Sequence, residues 1–305
     1  MKLAVIGCGK QGLRHLAALR GDADLTVADS DPWRARDAAD RLGARLSTID
    51  AVFSSPAIAA IIIATPTSSH AALTRRAIAA GKHVFCEKPF GGDEAAARDI
   101  ADEAAARGLI GRVGYLYRLA PAIRAARAAL PSLGSIDTAR FVIAAPGNHA
   151  AWKHRRDDGG GVANELVSHM IDLALWFFGS MRDCTVLEQQ QTHPRRTIVG
   201  AAVAADADDR VAARLISQSG VTIDRGETEM ARLVAALTAQ AGPVAGKRVA
   251  LMTLRSAASN RRFLRIGAAL AAAGARVAAF DTDIGVPAAA PAAGRPPWLI
   301  TFPIR

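Results

Sequence analysis

Cysteine is scarce in this sequence, and its spacing argues against two classes of protein. The 305 residues include only three cysteines, Cys8, Cys86 and Cys184, which lie far apart. They match neither the paired ligands of a structural zinc site nor a disulfide framework. We therefore expect no metal site and a reducing, cytoplasmic environment, with a redox thiol as the alternative.

Long uninterrupted apolar runs are also missing. No stretch is long enough to span a bilayer, so we expect no membrane association. The first methionine leads directly into an apolar strand without a charged and apolar leader, which predicts that there is no secretory signal.

Acidic residues are outnumbered, with 28 Asp and Glu against 38 Lys and Arg and a formal charge of +10. The arginines are scattered among alanines and occur together only as pairs, rather than on one basic face with interleaved aromatic residues. We therefore expect no nucleic-acid partner. The positive field would still attract anionic cofactors and substrates.

The length exceeds the size at which one hydrophobic core keeps growing, so two or more domains are expected. Residues 1–118 alternate between strand and helix patterns, which predicts an α/β domain with a doubly wound parallel sheet. Residues 119–240 read as a shortened α+β substrate domain. Residues 241–305 read as a βαβ-like unit followed by a tail.

A glycine-rich turn follows the first apolar strand, and a helical pattern follows the turn. Gly7 suits a tight turn, Gly9 would let a pyrophosphate approach the backbone, and Gly12 would let the helix pack on the strand. The pyrophosphate would lie on the free amides at the helix start. This is the signature of a Rossmann dinucleotide-binding domain. Its predicted pyrophosphate site consists of Gly7, Gly9, Lys10, Gln11 and Gly12.

The second strand ends in Asp29, at the distance where a carboxylate can bind a ribose 2′-hydroxyl. The same carboxylate would repel a 2′-phosphate, so NAD is predicted in preference to NADP. Arg34 could attract a 2′-phosphate, but an arginine in the first turns of a helix is more often solvated.

Two later strands end in polar loops, where a doubly wound sheet faces its ligand. The apolar run 59–64 stops at a polar loop from Thr65 to His70, and the strand that begins at His83 runs into Glu87-Lys88-Pro89. The predicted cofactor contacts in these loops are Thr65, Pro66, His70 and Glu87.

A third group of polar residues lies on a later helical segment. The run 159–161 is three glycines, which allows a close backbone approach and a helix start. Glu165 and His169 are four residues apart and Asp172 follows three later, so a regular helix places all three on one polar stripe. Such a stripe is costly to bury without partners or a ligand.

Together these motifs resemble the Gfo/Idh/MocA oxidoreductases over roughly residues 1–225. The resemblance rests on the first strand with its glycine turn, Thr65-Pro66 with His70, Glu87-Lys88-Pro89, and the segment 159–172. It implies that Lys88 and His169 lie beside the nicotinamide. Members usually carry Asp at the position of Glu165, which keeps the charge but changes its reach.

These groups suit removal of a hydride from a carbinol carbon together with the hydroxyl proton. His169 could take the proton, because the ordinary pKa of histidine, about 6.5, lies near working pH. Lys88 would stabilise charge on the same oxygen, and Glu165 would orient the imidazole or bind a neighbouring hydroxyl. Residues predicted on the substrate side are Tyr117, Arg118, Trp152 and Asp172.

The rest of the chain departs from the resemblance. Candidate strands cover 136–144, 183–190, 197–204 and 211–223. A helical stretch, 227–240, then comes earlier than in the family, whose members build a broader sheet first. Strands at 246–254 and 274–281 flank a helix at 261–273 and distantly resemble the nucleotide-sugar-binding domain of UDP-sugar dehydrogenases. The glycine and lysine motif of that domain is replaced here by residues 254–260. Residues 287–297 read as a loop or disordered strap.

Two functions compete on these grounds. The favoured one is an NAD(P)-dependent oxidoreductase acting on a secondary hydroxyl of a sugar, cyclitol or nucleotide sugar, with a small polyol or sugar as partner and possible homo-oligomers. The alternative is a non-catalytic relative that binds a dinucleotide or a partner protein, because its substrate domain is curtailed.

Overall fold

The computed structural model describes residues 1–91, 93–142, 150–198, 201–226, 248–253, 276–284 and 299–304. The chain forms two compact units. The first contains Met1–Tyr115 and Arg155–Gly160, and the second contains the described residues of Leu116–His154 and Gly161–Arg305. Among the described helices, none has the length and apolar character needed to cross a membrane.

A six-stranded parallel sheet forms the centre of the first unit. Its strand order is β3-β2-β1-β4-β5-β6, which is the order of a Rossmann fold. The predicted α/β fold of this part of the chain is therefore confirmed. The strands are β1 (Lys2–Ile6), β2 (Asp24–Ala28), β3 (Arg45–Leu46), β4 (Ala60–Ile63), β5 (His83–Cys86) and β6 (Gly111–Val113).

Two of the helices of this unit begin directly after an aspartate that caps them. Asp31 accepts a hydrogen bond from the Trp33 amide, and Asp93 accepts one from the Ala96 amide. The central strands carry apolar residues on both faces, and Val5 and Ile61 have no exposed surface. The helices are α1 (Lys10–Leu19), α2 (Pro32–Leu42), α3 (Ile49–Ser54), α4 (His70–Ala79) and α5 (Glu94–Ala106).

The second unit contains a seven-stranded mixed sheet in the order β15-β14-β13-β7-β12-β11-β8, and an antiparallel pair of β9 and β10. The helices α6 (Pro121–Ala129) and α7 (Ser168–Phe178) contribute Ile123 and Leu173 to a core that includes Phe141. The strands are β7 (Thr138–Val142), β8 (Met181–Gln190), β9 (Arg195–Ile198), β10 (Ala201–Ala204), β11 (Arg210–Ser217), β12 (Thr222–Gly226), β13 (Arg248–Thr253), β14 (Arg276–Ile284) and β15 (Leu299–Ile304).

Several predicted strands differ from the observed ones for local reasons. The segment 44–50 forms only the two-residue β3, because Thr48 accepts a hydrogen bond from the Ala51 amide and begins α3. The predicted strands 197–204 and 211–223 are each two strands that pair antiparallel. In the second case the chain turns through Gly220, which has a φ of 90°.

Two of the strands predicted near the carboxyl end are present as β13 and β14, and they pair in parallel. They belong to the same sheet as β7, because β13 pairs with β7. The predicted helices 227–240 and 261–273, the loop 254–260 and the strap 287–297 lie outside the described residues. The division at residues 118 and 240 stays a prediction.

Candidate active site

The glycine turn after β1 has the geometry that its sequence predicts. Gly7 has a φ of 101°, and a Cβ there would lie 2.6 Å from the Ala64 carbonyl oxygen. A Cβ on Gly12 would lie 1.8 Å from the Gly7 carbonyl oxygen, so only glycine permits this contact of helix and turn. A Cβ on Gly9, by contrast, would meet nothing within 4 Å. No side chain among the described residues caps α1, so its first amides are available to a phosphate.

Asp29 follows β2 and is held firmly by the backbone. Its Oδ2 accepts the Cys8 amide at 2.6 Å, and its Oδ1 accepts the Asp31 amide at 2.8 Å. Arg34, the residue that could have favoured a 2′-phosphate, forms an ion pair with Asp31 at 3.2 Å. The charges at this edge of the sheet therefore fit a ribose hydroxyl, and with the turn at Gly9 they fit NAD.

His70 links the loops after β4 and β5. Its ring is 1% exposed, with Nε2 2.9 Å from the Thr65 carbonyl oxygen and Nδ1 2.8 Å from the Pro89 carbonyl oxygen. The ring thus positions the backbone of both loops, and a direct contact between His70 and a cofactor stays a prediction. Thr65 receives a further hydrogen bond from the Ser69 hydroxyl at 2.7 Å.

The glycine run near residue 160 packs closely in both units. In the first unit, a Cβ on Gly159 would lie 2.6 Å from Thr67 Cβ. In the second unit, a Cβ on Gly161 would lie 2.8 Å from Asp208 Oδ1. Asp208 also accepts the Ala163 amide at 2.8 Å. The predicted close backbone approach is confirmed, while Asp208 was not predicted.

Glu87 is buried at the end of β5, and His15 of α1 is its partner. The His15 Nε2 atom lies 2.8 Å from Glu87 Oε1, and the Lys88 amide donates to Glu87 Oε2 at 3.3 Å. Burial raises the pKa of Glu87, but the hydrogen bond and charge of His15, followed by those of Lys88, outweigh it and leave the pKa below its ordinary value. The contact of His15 with Glu87 was not predicted from the sequence. The position of His15 three residues after Gly12, on the inner side of α1, was the available signal.

In the second unit, the three predicted polar residues of the later helix are all buried. Glu165, His169 and Asp172 are 5%, 5% and 6% exposed. Glu165 forms an ion pair with Lys153, which balances its charge. Asp172 accepts two hydrogen bonds from the Arg118 guanidinium.

The rings of His169 and Tyr117 are in contact, with centroids 4.4 Å apart and planes 48° apart. Burial raises the pKa of the Tyr117 hydroxyl, so the phenol stays neutral over the working range. Trp152 lies beside the same group, because the Lys153 ammonium is 5.2 Å from its ring centroid. Six residues of the second unit were predicted for catalysis or substrate binding, and they form three contact groups. Tyr117 contacts His169, Arg118 pairs with Asp172, and Lys153 contacts both Glu165 and Trp152.

The expected single helix is interrupted at its start. Ala163–Val167 forms a π-helix, and α7 begins only at Ser168. Glu165 therefore lies on a wider turn than His169 and Asp172, and the three do not follow the regular spacing of one α-helix. Short π-helical turns are frequent at functional sites. Lys88 belongs to the first unit and His169 to the second, and their meeting on one substrate oxygen stays a prediction.

Two of the three cysteines are unsuited to redox chemistry. Burial is the main cause that raises the pKa of both the Cys8 and the Cys86 thiols to about 12. A thiol with such a pKa is not a nucleophile at neutral pH.

A parallel sheet with this glycine turn and this acidic residue defines the first unit as a dinucleotide-binding Rossmann domain. Its residues 1–115 match the family described as "Oxidoreductase family, NAD-binding Rossmann fold", and residues 124–226 match the "GFO/IDH/MocA C-terminal domain". The chain belongs to the Gfo/Idh/MocA family of oxidoreductases. The predicted family and the prediction of an NAD-binding domain are thereby confirmed.

Individual relatives are similar over part of their length. The inositol 2-dehydrogenase of Rhizobium meliloti (strain 1021) is 30% identical over 187 residues, which are 59% of this chain and 55% of that protein. The dTDP-3,4-didehydro-2,6-dideoxy-alpha-D-glucose 3-reductase of Streptomyces violaceoruber is 29% identical over 226 residues, which are 71% of this chain and 66% of that protein. The chain thus spans less than two thirds of either relative.

A solved structure is similar in fold as well as in sequence. The crystal structure of GenD2 from gentamicin A biosynthesis, in complex with NAD, superposes with a TM-score of 0.63 and 26% identity. The superposition covers 74% of this chain and 65% of GenD2.

Proposed function

We propose that this protein is an NAD-dependent dehydrogenase that transfers a hydride between the nicotinamide and a secondary hydroxyl of a sugar, cyclitol or nucleotide sugar. The observation that carries the proposal is the buried group around His169, in which Glu165 and Asp172 each have a cationic partner. Ionisable groups are rarely buried together without a task, and perturbed or paired groups of this kind concentrate at active sites.

Each residue of the proposed active site has a role that follows from its chemistry. NAD supplies the hydride acceptor when it is bound. His169 takes the hydroxyl proton, and the neighbouring Tyr117 ring holds the imidazole in place. Lys88 stabilises the charge that develops on the substrate oxygen. Glu165, paired with Lys153, can accept a hydrogen bond from an adjacent substrate hydroxyl.

Relatives that act on related substrates support the substrate class. They include an inositol dehydrogenase and a reductase of a dTDP-linked sugar. A cluster of carboxylates and cationic groups is suited to the many hydroxyls of such compounds. We further propose that the protein works in the cytoplasm on a small polyol or sugar, without a nucleic-acid partner, and that it can form homo-oligomers.

The direct test is reduction of NAD by the full chain with a panel of cyclitols, anhydrosugars, aldoses and nucleotide sugars. We expect turnover with at least one member of the panel. NAD binding measured by calorimetry, without turnover on any member, would instead favour the alternative of a non-catalytic dinucleotide-binding protein. The chain's coverage of less than two thirds of its relatives is the observation that keeps this alternative open.

A further inference from the structure

The contact between His15 and Glu87 joins two parts of the first unit that perform different tasks. His15 lies on α1, the helix that presents its amides to the cofactor phosphates. Glu87 follows β5 and immediately precedes Lys88. The Nε2 atom of His15 lies 2.8 Å from Glu87 Oε1, and the side chains are 26% and 8% exposed.

A buried carboxylate needs compensation for the water that it has lost, and here its surroundings supply this compensation on several sides. The His15 ring donates to one oxygen, and the Lys88 amide donates to the other at 3.3 Å. Gly114 leaves room for the second oxygen, because a Cβ there would lie 3.1 Å from Glu87 Oε2. Phe85 contacts the His15 ring edge-on, with centroids 5.3 Å apart. The carboxylate therefore has one defined position.

We infer that His15 is a positioning residue, which holds Glu87 and through it fixes the backbone from which the Lys88 ammonium extends. The Lys88 amide bonded to Glu87 belongs to the residue whose side chain is proposed to contact the substrate oxygen. Without His15, the Glu87 carboxylate is no longer held in one position. Its displacement shifts the Lys88 backbone, because the two residues share a peptide bond. The consequence for turnover rests on the proposed function, whereas the consequence for Lys88 itself does not.

The charges around Glu87 support this inference. The groups that act on its carboxyl are His15 from α1 and Lys88 from its own strand end, and both lower its pKa against the effect of burial. The carboxylate is thus ionised at neutral pH and able to accept from the ring. A substitution that removes the ring removes the two largest effects that lower this pKa, so the pKa of Glu87 rises relative to the wild type.

Three variants of the full chain separate positioning from general stability. His15→Leu removes the donor, and His15→Gln keeps an N–H group that can reach the carboxylate. Arg14→Ala is the matched control, since Arg14 is exposed on the same helix and its guanidinium donates to the Gln11 side chain one turn earlier. Thermal melting confirms which variants are folded.

The first measurement is the rate at which acetic anhydride modifies the Lys88 amine, read by mass spectrometry with Lys2 as the internal reference. We expect His15→Leu to change this rate, His15→Gln to restore it and Arg14→Ala to leave it as in the wild type. An unaltered Lys88 rate in folded His15→Leu overturns the inference, whatever the activity.

The second measurement is steady-state kinetics with a substrate found in the panel. We expect kcat of His15→Leu to fall by about 10- to 100-fold, as for a small misplacement of a reacting group, while KM for NAD stays near the wild-type value. The acid limb of kcat/KM should move to higher pH, which a merely structural role would not cause. Equal losses in kcat and NAD binding, with no movement of the limb, contradict a positioning role.

The outcomes distinguish this inference from the proposed function. If the wild-type chain shows no turnover but the labelling rate of Lys88 still changes in His15→Leu, the proposed function is wrong and the positioning role of His15 stands. Should His15→Leu fail to fold, Gly114→Ala decides, because its methyl group presses on the same carboxylate without changing any charge. A wild-type labelling rate in folded Gly114→Ala then overturns the inference.

Discussion

Arg118 and Asp172 form a two-point ion pair in the second unit. Arg118 Nε lies 2.8 Å from Asp172 Oδ2, and its Nη2 lies 2.5 Å from Oδ1. The carboxylate side chain is 7% exposed and the guanidinium side chain 41%. The Arg118 guanidinium therefore compensates the buried Asp172 carboxylate while remaining partly exposed itself. The pair links the segment after β6 to α7.

Asp172→Asn should destabilise the protein, because the amide cannot accept both guanidinium hydrogen bonds. We expect the free energy of unfolding to fall by about 2 kcal/mol, the typical contribution of a hydrogen bond to a charged group. Urea unfolding of the full chain measures this. Asp183→Asn, an exposed carboxylate on β8, is the control and should unfold as the wild type does.

Lys88→Ala and His169→Ala should reduce turnover far more than NAD binding. Removal of a proton-transfer group such as His169 typically costs on the order of 10²- to 10⁴-fold in rate. Removal of a group that stabilises developing charge, the role of Lys88, costs about 10²- to 10³-fold, and we expect kcat to fall within these ranges. NAD affinity, measured by calorimetry, should change little. Lys2→Ala and His193→Ala remove the same side-chain types from exposed positions and serve as controls. Wild-type turnover in both test variants would show that the catalytic assignment is wrong.

Asp29→Asn should relax the choice between NAD and NADP. The amide keeps one oxygen that can accept from the Cys8 backbone and gives up the hydrogen bond from the Asp31 amide, while the charge that repels a 2′-phosphate is lost. We expect the ratio of the two dissociation constants to shift toward NADP by about tenfold, which corresponds to roughly 1.4 kcal/mol. Titration with each cofactor measures the ratio. Asp37 lies on α2, where it is exposed and paired with Arg41, so Asp37→Asn should leave this ratio unchanged.

The first unit could be predicted well because its signals are local. Gly7 and Gly12 have no tolerance for a side chain, and Asp93 stands one residue before the helix that it caps. Each of these requirements can be read within a few positions of the residue concerned.

The features that the sequence did not reveal depend on distant residues. The partner of Glu87 is His15, 72 positions away, and the partner of Glu165 is Lys153, on a separate segment. The π-helix at Ala163–Val167 departs from the period on which helical patterns rely. The strand β15 contains Pro303, which argues against a strand in sequence, although β15 lies at the edge of its sheet, where proline is tolerated.

Acid should weaken the first unit through Glu87. The folded-state pKa of this carboxyl lies below its ordinary value of 4.5, so its contribution to stability is complete above that pH. The contribution is lost as the pH falls from there through the folded-state pKa, because the unfolded chain binds the proton first. Glu87→Gln removes this dependence together with the charge.

The measurement is urea unfolding of the wild type and of Glu87→Gln at a series of pH values. We expect the wild type to be the more stable at neutral pH and the difference to shrink as the pH falls below about 4. Glu94→Gln, an exposed carboxylate paired with Arg98, is the control and should show no comparable convergence. A difference that grows in acid would mean that the carboxyl is protonated more readily in the folded protein, contrary to the compensation that His15 and Lys88 provide.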